Sequence, residues 1–544
     1  MSNSMEKNDI QYIDEKADSI SVPKQHQIVH IDNVQVLGLD PADAEFYINF
    51  SDERRKKVIH KVRLLPSLRQ NIEIAAAMAT ANPKQVDIRL VPMLAVLYLI
   101  SHIDRANIGN AKIEGMVTDL GLDGVQWNIV LSVFFVPYIL LEIPSNMLLK
   151  RFKRPSYYLG ILIVCWGIVM TMMGVVKNFT GLLITRILLG VFEAGFFPGA
   201  VYLCTYWYMP RDLATRISYF YCASALSGAF SGLLAAAIAK MDGIAGYEGW
   251  RWIFLLEGIV TVLLGVSCFF LLIDSPALSG RWLDPEEIRF LELQRFIKDG
   301  GKFQEEKAHF RWKDLKMVLC NWRLYMQAYI LLCISACSYG TKFTLPTITK
   351  SMGFNNTNAQ LMTVPPYVAG AISSVVFAKL SDRFYWRLPF VAIPLSFIFI
   401  GYAVVISFDG QLGQNIGPAF FAIILTCMGI YPIQPAGSSW AANNLAPTSR
   451  RAIGVAFNIC IGNVGGVIGS YMYLESEKPK YYTGFGLSLA FGASGFIVAF
   501  LLELSYKWGN SRKAKISEDE VRARYTDEEL LDMGDKSPLF RYTL

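Results

Sequence analysis

The chain has 544 residues, of which 53% are hydrophobic and 18% are charged, and its formal net charge is +6. This composition is more apolar and less charged than that of an ordinary soluble protein. The apolar residues fall into windows of about 20, the length needed to cross a hydrocarbon core. Basic residues flank these windows and form no stripe with interleaved aromatics, which excludes a nucleic-acid partner. Composition therefore favours a protein embedded in a lipid bilayer over a set of soluble domains.

The pattern of apolar windows predicts an all-α membrane protein with twelve transmembrane helices in two six-helix bundles. The predicted domains are a cytoplasmic N-terminal region at 1–87, an N-terminal bundle at 88–273, a cytoplasmic central loop at 274–322, a C-terminal bundle at 323–507 and a cytoplasmic tail at 508–544. The predicted spans are residues 90–108, 127–148, 157–176, 180–207, 213–239, 251–273, 323–348, 359–380, 388–407, 416–438, 451–473 and 485–507.

The distribution of Lys and Arg in the short loops predicts the orientation of these spans. With a cytosolic N-terminus, the inner loops would contain Lys150, Arg151, Lys153, Arg154, Arg211, Arg216, Lys379, Arg383, Arg387, Arg450 and Arg451. The outer loops would contain Lys112, Lys177, Lys240, Lys350, Lys478 and Lys480. The positive-inside rule therefore places both termini in the cytosol. Asn355 of the Asn-Asn-Thr tripeptide then faces outward as a candidate glycosylation site.

Charged side chains interrupt three of the apolar windows. Asp104 and Arg105 lie in the first, Arg186 in the fourth and Lys342 in the seventh. Charge at membrane depth is costly, so these residues predict a pathway for a polar or charged solute. Arg186 is the first candidate for holding a carboxylate, because a guanidinium offers two parallel donors. The second candidate is Lys342, with Tyr339 one turn earlier on a similar face.

Three further residues complete the predicted substrate site: Asp104, Arg105 and Asn107. Alternatives stay open for both leading candidates. Arg186 could instead form a structural pair with Glu193 or Glu257. Lys342 could extend to the outer membrane interface.

Proton coupling needs a group that can change its charge in a partly dry cavity. The candidates are Glu193, then Asp104, and also Glu257, because burial favours the neutral form of a carboxylate. His102 is interpreted as a packed polar residue. Glu142 lies near the cytoplasmic end of its span and is expected to cap or pair with the basic loop that follows.

The loop after the eighth span carries a recognisable signature. Ala378-Lys-Leu-Ser-Asp382-Arg383-Phe-Tyr-Trp-Arg387 resembles the Gly-x-x-x-Asp-Arg-x-x-x-Arg/Lys motif of the major facilitator superfamily. The resemblance implies that Asp382, Arg383 and Arg387 form a cytoplasmic gate. The equivalent first-half loop has Lys150 where a carboxylate is expected, which departs from a symmetric pair of gates. The alternative is that both loops only anchor the helices through positive charge.

Longer motifs narrow the resemblance to the fungal anion:cation symporter branch, the allantoate permease-like group, closest in appearance to nicotinate permeases. The segments that carry it are 98–112, 142–146, 186–199, 250–258, 351–354, 360–367 and 478–482. It implies proton-coupled import of a small organic anion, a carboxylate such as nicotinate, pantothenate or allantoate. It further implies a monomer in a fungal plasma membrane, with no cofactor.

One segment departs from this resemblance. Residues 62–85 separate His60-Lys61 from Val86-Asp87, and their removal restores the family pattern. Val62 and Gln85 can be encoded as a splice donor and acceptor, which indicates a retained intron in the gene model. An amphipathic insertion on the membrane surface is the alternative, and sequencing the transcript distinguishes the two.

Other function classes have weaker support in the sequence. No glycine-rich segment is completed by Lys-Ser/Thr into a nucleotide loop, and the cysteines lack metal-ligand spacing. No nucleophile, base and orienting partner group together outside the membrane, so an enzyme is not predicted. Transport should therefore be secondary and driven by gradients. A non-transporting nutrient sensor, an exporter and an organellar carrier stay open as alternatives, although the short charged tail is unlike that of a sensor.

Overall fold

The computed structural model shows a chain built from helices. It describes residues 43, 46–47, 50–51, 54–55 and 58, and then residues 85–544 apart from 150, 209, 281–282, 299–311 and 385. Within these ranges there is no β-strand. Residues 62–84 of the insertion at 62–85 lie outside the described residues, so both interpretations of it stay open.

The first half of the chain forms six membrane-length segments, of which the second and fourth are each divided into two helices. The helices are α1 (Gln85–Ile113), α2 (Met116–Asp119), α3 (Gly124–Val133), α4 (Phe135–Leu149), α5 (Pro155–Met173), α6 (Phe179–Glu193), α7 (Phe196–Trp207), α8 (Pro210–Ile238) and α9 (Gly249–Leu271).

The central segment, the second half and the tail are also helical. Their helices are α10 (Pro285–Lys298), α11 (Trp312–Leu319), α12 (Trp322–Ser351), α13 (Asn356–Leu361), α14 (Val364–Phe384), α15 (Pro389–Ser407), α16 (Ile416–Asn443), α17 (Thr448–Met472), α18 (Tyr482–Lys513), α19 (Glu518–Arg524) and α20 (Asp527–Met533).

The membrane-spanning character of the fold follows from helix length and composition. In the part of the chain that the structure describes, 11 helical segments are long and apolar enough to cross a membrane. The first predicted span corresponds to α1, which has 29 residues but is more polar because it carries Asp104 and Arg105. The predicted fold class, an all-α membrane protein of two six-helix bundles, is confirmed. The exact domain boundaries stay predictions.

Polar side chains at the loop ends fix where several helices begin. Asp123 accepts a hydrogen bond from the backbone N–H of Gln126, whose side chain in turn accepts from the backbone of Asp123. Asn178 and Asn355 accept from the backbone N–H groups of Gly181 and Asn358 in the same way. These caps satisfy donors that a helix start leaves without partners.

Two breaks divide segments that the sequence predicts as continuous helices. The first separates α3 from α4 at Phe134, and the second separates α6 from α7 at residues 194–195. The Phe134 carbonyl oxygen lies where a Cβ on Gly190 would stand, so only glycine allows this close crossing. Gly195 similarly approaches the Ser145 hydroxyl. Each break also precedes a proline, Pro137 or Pro198, which lacks the N–H that would donate to the carbonyl four residues earlier.

The buried apolar residues form two main clusters, one in each half of the chain. In the first half α9 packs on α5 and α8 packs on α1, while in the second α12 packs on α17 and α16 packs on both α14 and α15. The halves meet where α1 contacts α12, α8 contacts α14 and α17 contacts α3 and α4. Tyr339 and Phe343 of α12 join the first cluster, which shows how closely the halves approach.

Both ends of the described chain lie on one side, together with the central segment. Asp43 pairs with Arg289 of α10, and Arg54 pairs with Glu286 of the same helix. Lys313 of α11 pairs with Asp532 of the tail at 2.5 Å. The tail is folded against the second half, where the Leu544 carbonyl accepts from the Arg387 backbone N–H at 2.6 Å. The opposite side is the one at which α1 and α12 end.

Candidate functional site between the two halves

A buried arginine in the last third of α1 joins the two halves. The Arg105 Nε donates to Glu193 Oε1 of α6 at 2.8 Å, and its Nη1 donates to the Tyr339 hydroxyl of α12 at 3.0 Å. The guanidinium lies over the rings of Phe134 and Tyr138, 5.0 and 4.6 Å from their centroids. A buried ion pair is stable only with such additional donors and acceptors, and here α1, α6 and α12 supply them.

Glu193 is only partly engaged by this network. Its Oε1 accepts from Arg105 and from the Ser101 hydroxyl. Its Oε2 is buried and has no hydrogen-bond partner among the described residues. The carboxylate therefore combines one fixed oxygen with one that a proton could occupy.

Asp104 faces the interior of the first bundle. Its Oδ2 accepts from the indole Nε1 of Trp166 at 3.1 Å and from the Thr261 hydroxyl at 3.3 Å, while Oδ1 finds no partner in the described part. Both donors belong to the first half, on α5 and α9. This position suits a proton-coupling role for Asp104 better than a direct contact of Asp104 with substrate bound between the halves.

Arg186 is buried without the hydrogen bonds that a guanidinium normally makes. Its Nε and Nη2 have no partner within the described ranges. It interacts electrostatically with Glu193 and Asp104, but neither carboxylate is hydrogen-bonded to it in the described structure. Leaving buried charged donors unpaired is costly, so Arg186 is the side chain here with most to gain from an incoming carboxylate.

Glu257 of α9 lies in the same region of the first bundle. It is buried, and both of its carboxyl oxygens are without a hydrogen-bond partner in the part of the chain described. Its electrostatic neighbour is Asp104. The alternative in which Arg186 forms a structural pair with Glu193 or Glu257 is thus not supported by a direct hydrogen bond between these side chains in the described structure.

Lys342 points between the halves. Its Nζ lies 3.3 Å from His102 Nδ1 of α1 and 3.5 Å from the Ser224 hydroxyl of α8. The rings of Tyr339 and Tyr431 lie 5.8 and 5.9 Å away. The alternative in which Lys342 extends to the membrane interface is wrong, because the side chain is 4% exposed.

Asn107 binds other protein groups. Its Oδ1 accepts from the Ser231 hydroxyl at 2.6 Å and from Asn110 Nδ2 at 3.4 Å. These contacts join α1 to α8. Its Nδ2 is buried and has no hydrogen-bond partner in the described ranges, and the predicted contact of Asn107 with substrate stays a prediction.

The predicted gate residues lie at the end of α14, on the side of the termini. Arg387 Nη1 donates to the Ser381 hydroxyl at 2.6 Å, and Arg383 is exposed. The side chain of Asp382 lies outside the described residues. The gating role of all three stays a prediction.

Two functional candidates were missed or misplaced by sequence reasoning. Glu142 does not cap the basic loop, since its Oε2 accepts from Asn463 Nδ2 of α17 at 3.3 Å. The expectation failed because α17 of the other half covers this face of α4. His102 contacts Lys342, and its spacing of three residues before Arg105 on one helix face was the available signal.

The side opposite the termini is closed by polar contacts between the halves. Lys112, at the end of α1, pairs with Glu475 at 2.7 Å. Glu114 accepts from Gln360 at 2.9 Å, and Lys350 donates to the Ile113 carbonyl at 3.4 Å. We call this set of contacts the outer clasp.

Two six-helix bundles with a charged, buried site at their interface define a multi-pass membrane transporter. The chain belongs to the Major Facilitator Superfamily, whose family model matches residues 94–470.

Curated relatives cover most of the chain. It is 32% identical to the MFS-type transporter cnsO of Penicillium expansum over 85% of this chain and 90% of that protein. It is 30% identical to the high-affinity nicotinic acid transporter of Saccharomyces cerevisiae over 84% of each chain. Among solved structures, a bacterial homologue of the human lysosomal transporter Spinster, in an inward-facing occupied conformation, has a TM-score of 0.59 at 16% identity and covers 78% of this chain and 98% of that one.

Proposed function

We propose that this protein imports a small organic anion with protons, and that the anion is a carboxylate such as nicotinate, pantothenate or allantoate. The observation that carries the proposal is Arg186, a buried guanidinium with unpaired donors. A carboxylate matches a guanidinium in both charge and geometry. The similarity to a nicotinic acid transporter supports the same substrate class.

The arrangement of charges supports an anion site between the halves. Arg105 and Lys342 approach the interface from α1 and α12, and both are buried. Glu193 offsets only one of these positive charges, through its pair with Arg105. An entering anion would thus lose its hydration but gain cationic donors on both sides.

Carboxylates close to this site support proton coupling. Glu193, Asp104 and Glu257 each have at least one buried oxygen without a partner in the described ranges. A proton on Glu193 would weaken its hold on Arg105 and free that guanidinium for the anion. We place the protein as a monomer in the plasma membrane, with both termini in the cytosol because the termini share the side of the basic loops.

The test is uptake by cells that lack their own carboxylate carriers. We expect uptake of at least one member of a labelled panel of nicotinate, pantothenate and allantoate, and poor competition by nicotinamide against nicotinate. Arg186→Lys keeps the charge but loses the two parallel donors, so uptake should fall by roughly tenfold or more while the protein still reaches the membrane. Raising the external pH should slow wild-type uptake.

Arg151→Lys provides a matched control. Arg151 lies in the same half of the chain, in the loop after α4, and is exposed. It should leave uptake near the wild-type level. Equal competition by acid and amide, or an Arg186→Lys variant as active as wild type, would refute the anion site.

A further inference from the structure

His102 and Lys342 bring two nitrogens that can carry positive charge into contact across the interface of the halves. The distance from Lys342 Nζ to His102 Nδ1 is 3.3 Å. His102 is 6% exposed and Lys342 is 4% exposed. Because one residue is on α1 and the other on α12, this contact exists only while the halves are close at this level.

The contact restricts the protonation of the pair. A lysine ammonium donates and cannot accept, so Nδ1 of His102 must be the acceptor and the imidazole is then neutral. If Nδ1 were protonated, two donors would face each other in a dry environment, which is unfavourable. The pair therefore holds one positive charge when no other group lies between its members.

The charged neighbours of the pair supply no negative charge to it. The charged groups acting on His102 are Lys342 from α12 and Arg105 from its own helix, and both are cationic. The Tyr98 ring meets the imidazole edge to face at 4.5 Å, and Ser224 of α8 contacts Lys342. His102 Nε2 has no hydrogen-bond partner in the described structure.

We propose that His102 and Lys342 form a proton-responsive subsite for the transported carboxylate, in which binding of the anion lets His102 take up one proton. This inference rests on the proposed function. The carboxylate supplies the negative charge that the pair lacks, so imidazolium and ammonium can coexist on either side of it. The proton comes from the water on the side to which the cavity opens, and no covalent bond changes.

Release of the anion reverses this step. When the carboxylate leaves, repulsion from Lys342 expels the proton from His102 to the side on which the anion is released. Anion and proton therefore cross together, because each makes the binding of the other more favourable. This role differs from that of Glu193, whose contacts are to Arg105 and Ser101.

The experiment measures proton uptake when the purified full-length protein binds nicotinate, with a pH indicator in weakly buffered detergent solution. Wild type should take up a substantial fraction of one proton per bound anion between about pH 6 and 8, the range in which histidine titrates. His102→Gln should bind nicotinate but take up at most half as many protons. Nicotinamide is the ligand control and should cause no uptake in either protein.

Lys342→Gln provides an independent variant with a different signature. It removes the charge that keeps His102 neutral, so the pH window of the remaining proton uptake should move to higher values. Thermal unfolding of each variant checks that the fold is intact. If the His102→Gln protein does not bind nicotinate, the test rests on Lys342→Gln alone. The subsite is then refuted if the pH window of proton uptake does not move in the Lys342→Gln protein.

Two other results are distinguishable. Equal proton uptake by wild type and His102→Gln, with nicotinate bound to both, overturns the subsite and leaves carboxylate transport standing. Absence of both binding and uptake of nicotinate, pantothenate and allantoate by wild type refutes the proposed function, and the inference fails with it.

Discussion

At the level of single residues, the pairing of Arg105 with Glu193 shows what the sequence can and cannot specify. The charged residues inside apolar windows were identifiable from the sequence alone, because charge at membrane depth is rare. Their partners were not. Glu193 lies two helical turns after Arg186 on the same face, yet it bonds to Arg105. That choice depends on how α1 crosses α6, which residue spacing does not determine.

The Arg105–Glu193 pair gives a prediction about stability. Arg105→Gln or Glu193→Gln alone leaves a buried charge without its partner, which should cost roughly 3–5 kcal/mol, whereas the double variant leaves none and should cost distinctly less. Thermal unfolding in detergent at neutral pH measures all three. Thermal midpoints that fall additively in the double variant would show that the two residues do not interact.

An exposed pair provides the control for this cycle. Lys480 and Asp409 bond at 2.9 Å, but their side chains are 44% and 55% exposed. Solvent-exposed pairs contribute little to stability, because water and salt screen their attraction. Lys480→Gln and Asp409→Asn should therefore leave the thermal midpoint almost unchanged.

At the level of elements, the sequence predicts the helices better than their interruptions. The number and order of spans follow from apolar windows of membrane length. The breaks at Phe134 and at residues 194–195 were not predicted, although the sequence contains a local cause for each: Pro137 and Pro198 lack the N–H that would donate to the carbonyl four residues earlier. The folded tail was also missed. Its charged residues pair with the central segment, as Asp532 does with Lys313 of α11, and composition alone does not reveal such contacts.

The crossing at Gly190 yields a prediction at this scale. In Gly190→Ala the new methyl group would meet the backbone carbonyl of Phe134, which cannot move away as a flexible side chain could. The second segment must shift, so thermal stability and transport should both fall. Gly486→Ala is the matched control, since nothing lies within 4 Å of a Cβ at that helical position. Alanine favours a helix there by about 1 kcal/mol, so the control should be neutral or slightly stabilised.

At the scale of the whole molecule, the two halves are closed on the side away from the termini and share a buried, charged site where α1 and α6 meet α12. The two-bundle architecture was predictable from the six-plus-six pattern of spans. The sequence did not predict which side of the protein is closed, because closure depends on contacts such as that of Lys112 with Glu475, which join segments far apart in sequence. A transporter must break such contacts to expose its site on the side away from the termini.

The last prediction concerns the outer clasp. Burial acts to raise the pKa of Glu475, but hydrogen bonds from Lys112 and Lys478 outweigh it and hold this pKa below its usual value. A lowered carboxyl pKa means that the pair persists above that pKa and is lost only as the pH falls through it. The clasp should thus stay closed as the pH falls from about 8 to 5, because both values lie above a normal glutamate pKa. Burial lowers the pKa of Lys112 from its usual value, so the alkaline limit of the pair is set by loss of the Lys112 proton.

Glu475→Gln should open the outer side at neutral pH, because Lys112 loses its charged partner. The measurement is labelling of a cysteine introduced at Thr347, a buried position in α12 toward that side, by a membrane-impermeant reagent. Exchanging the charges with Lys112→Glu and Glu475→Lys should restore low labelling. Lys478→Gln, which removes only an exposed contact within the same loop, should have little effect. Labelling of wild type that rises steeply between pH 8 and 5, or that is unaffected by Glu475→Gln, would show that other contacts hold the outer side closed.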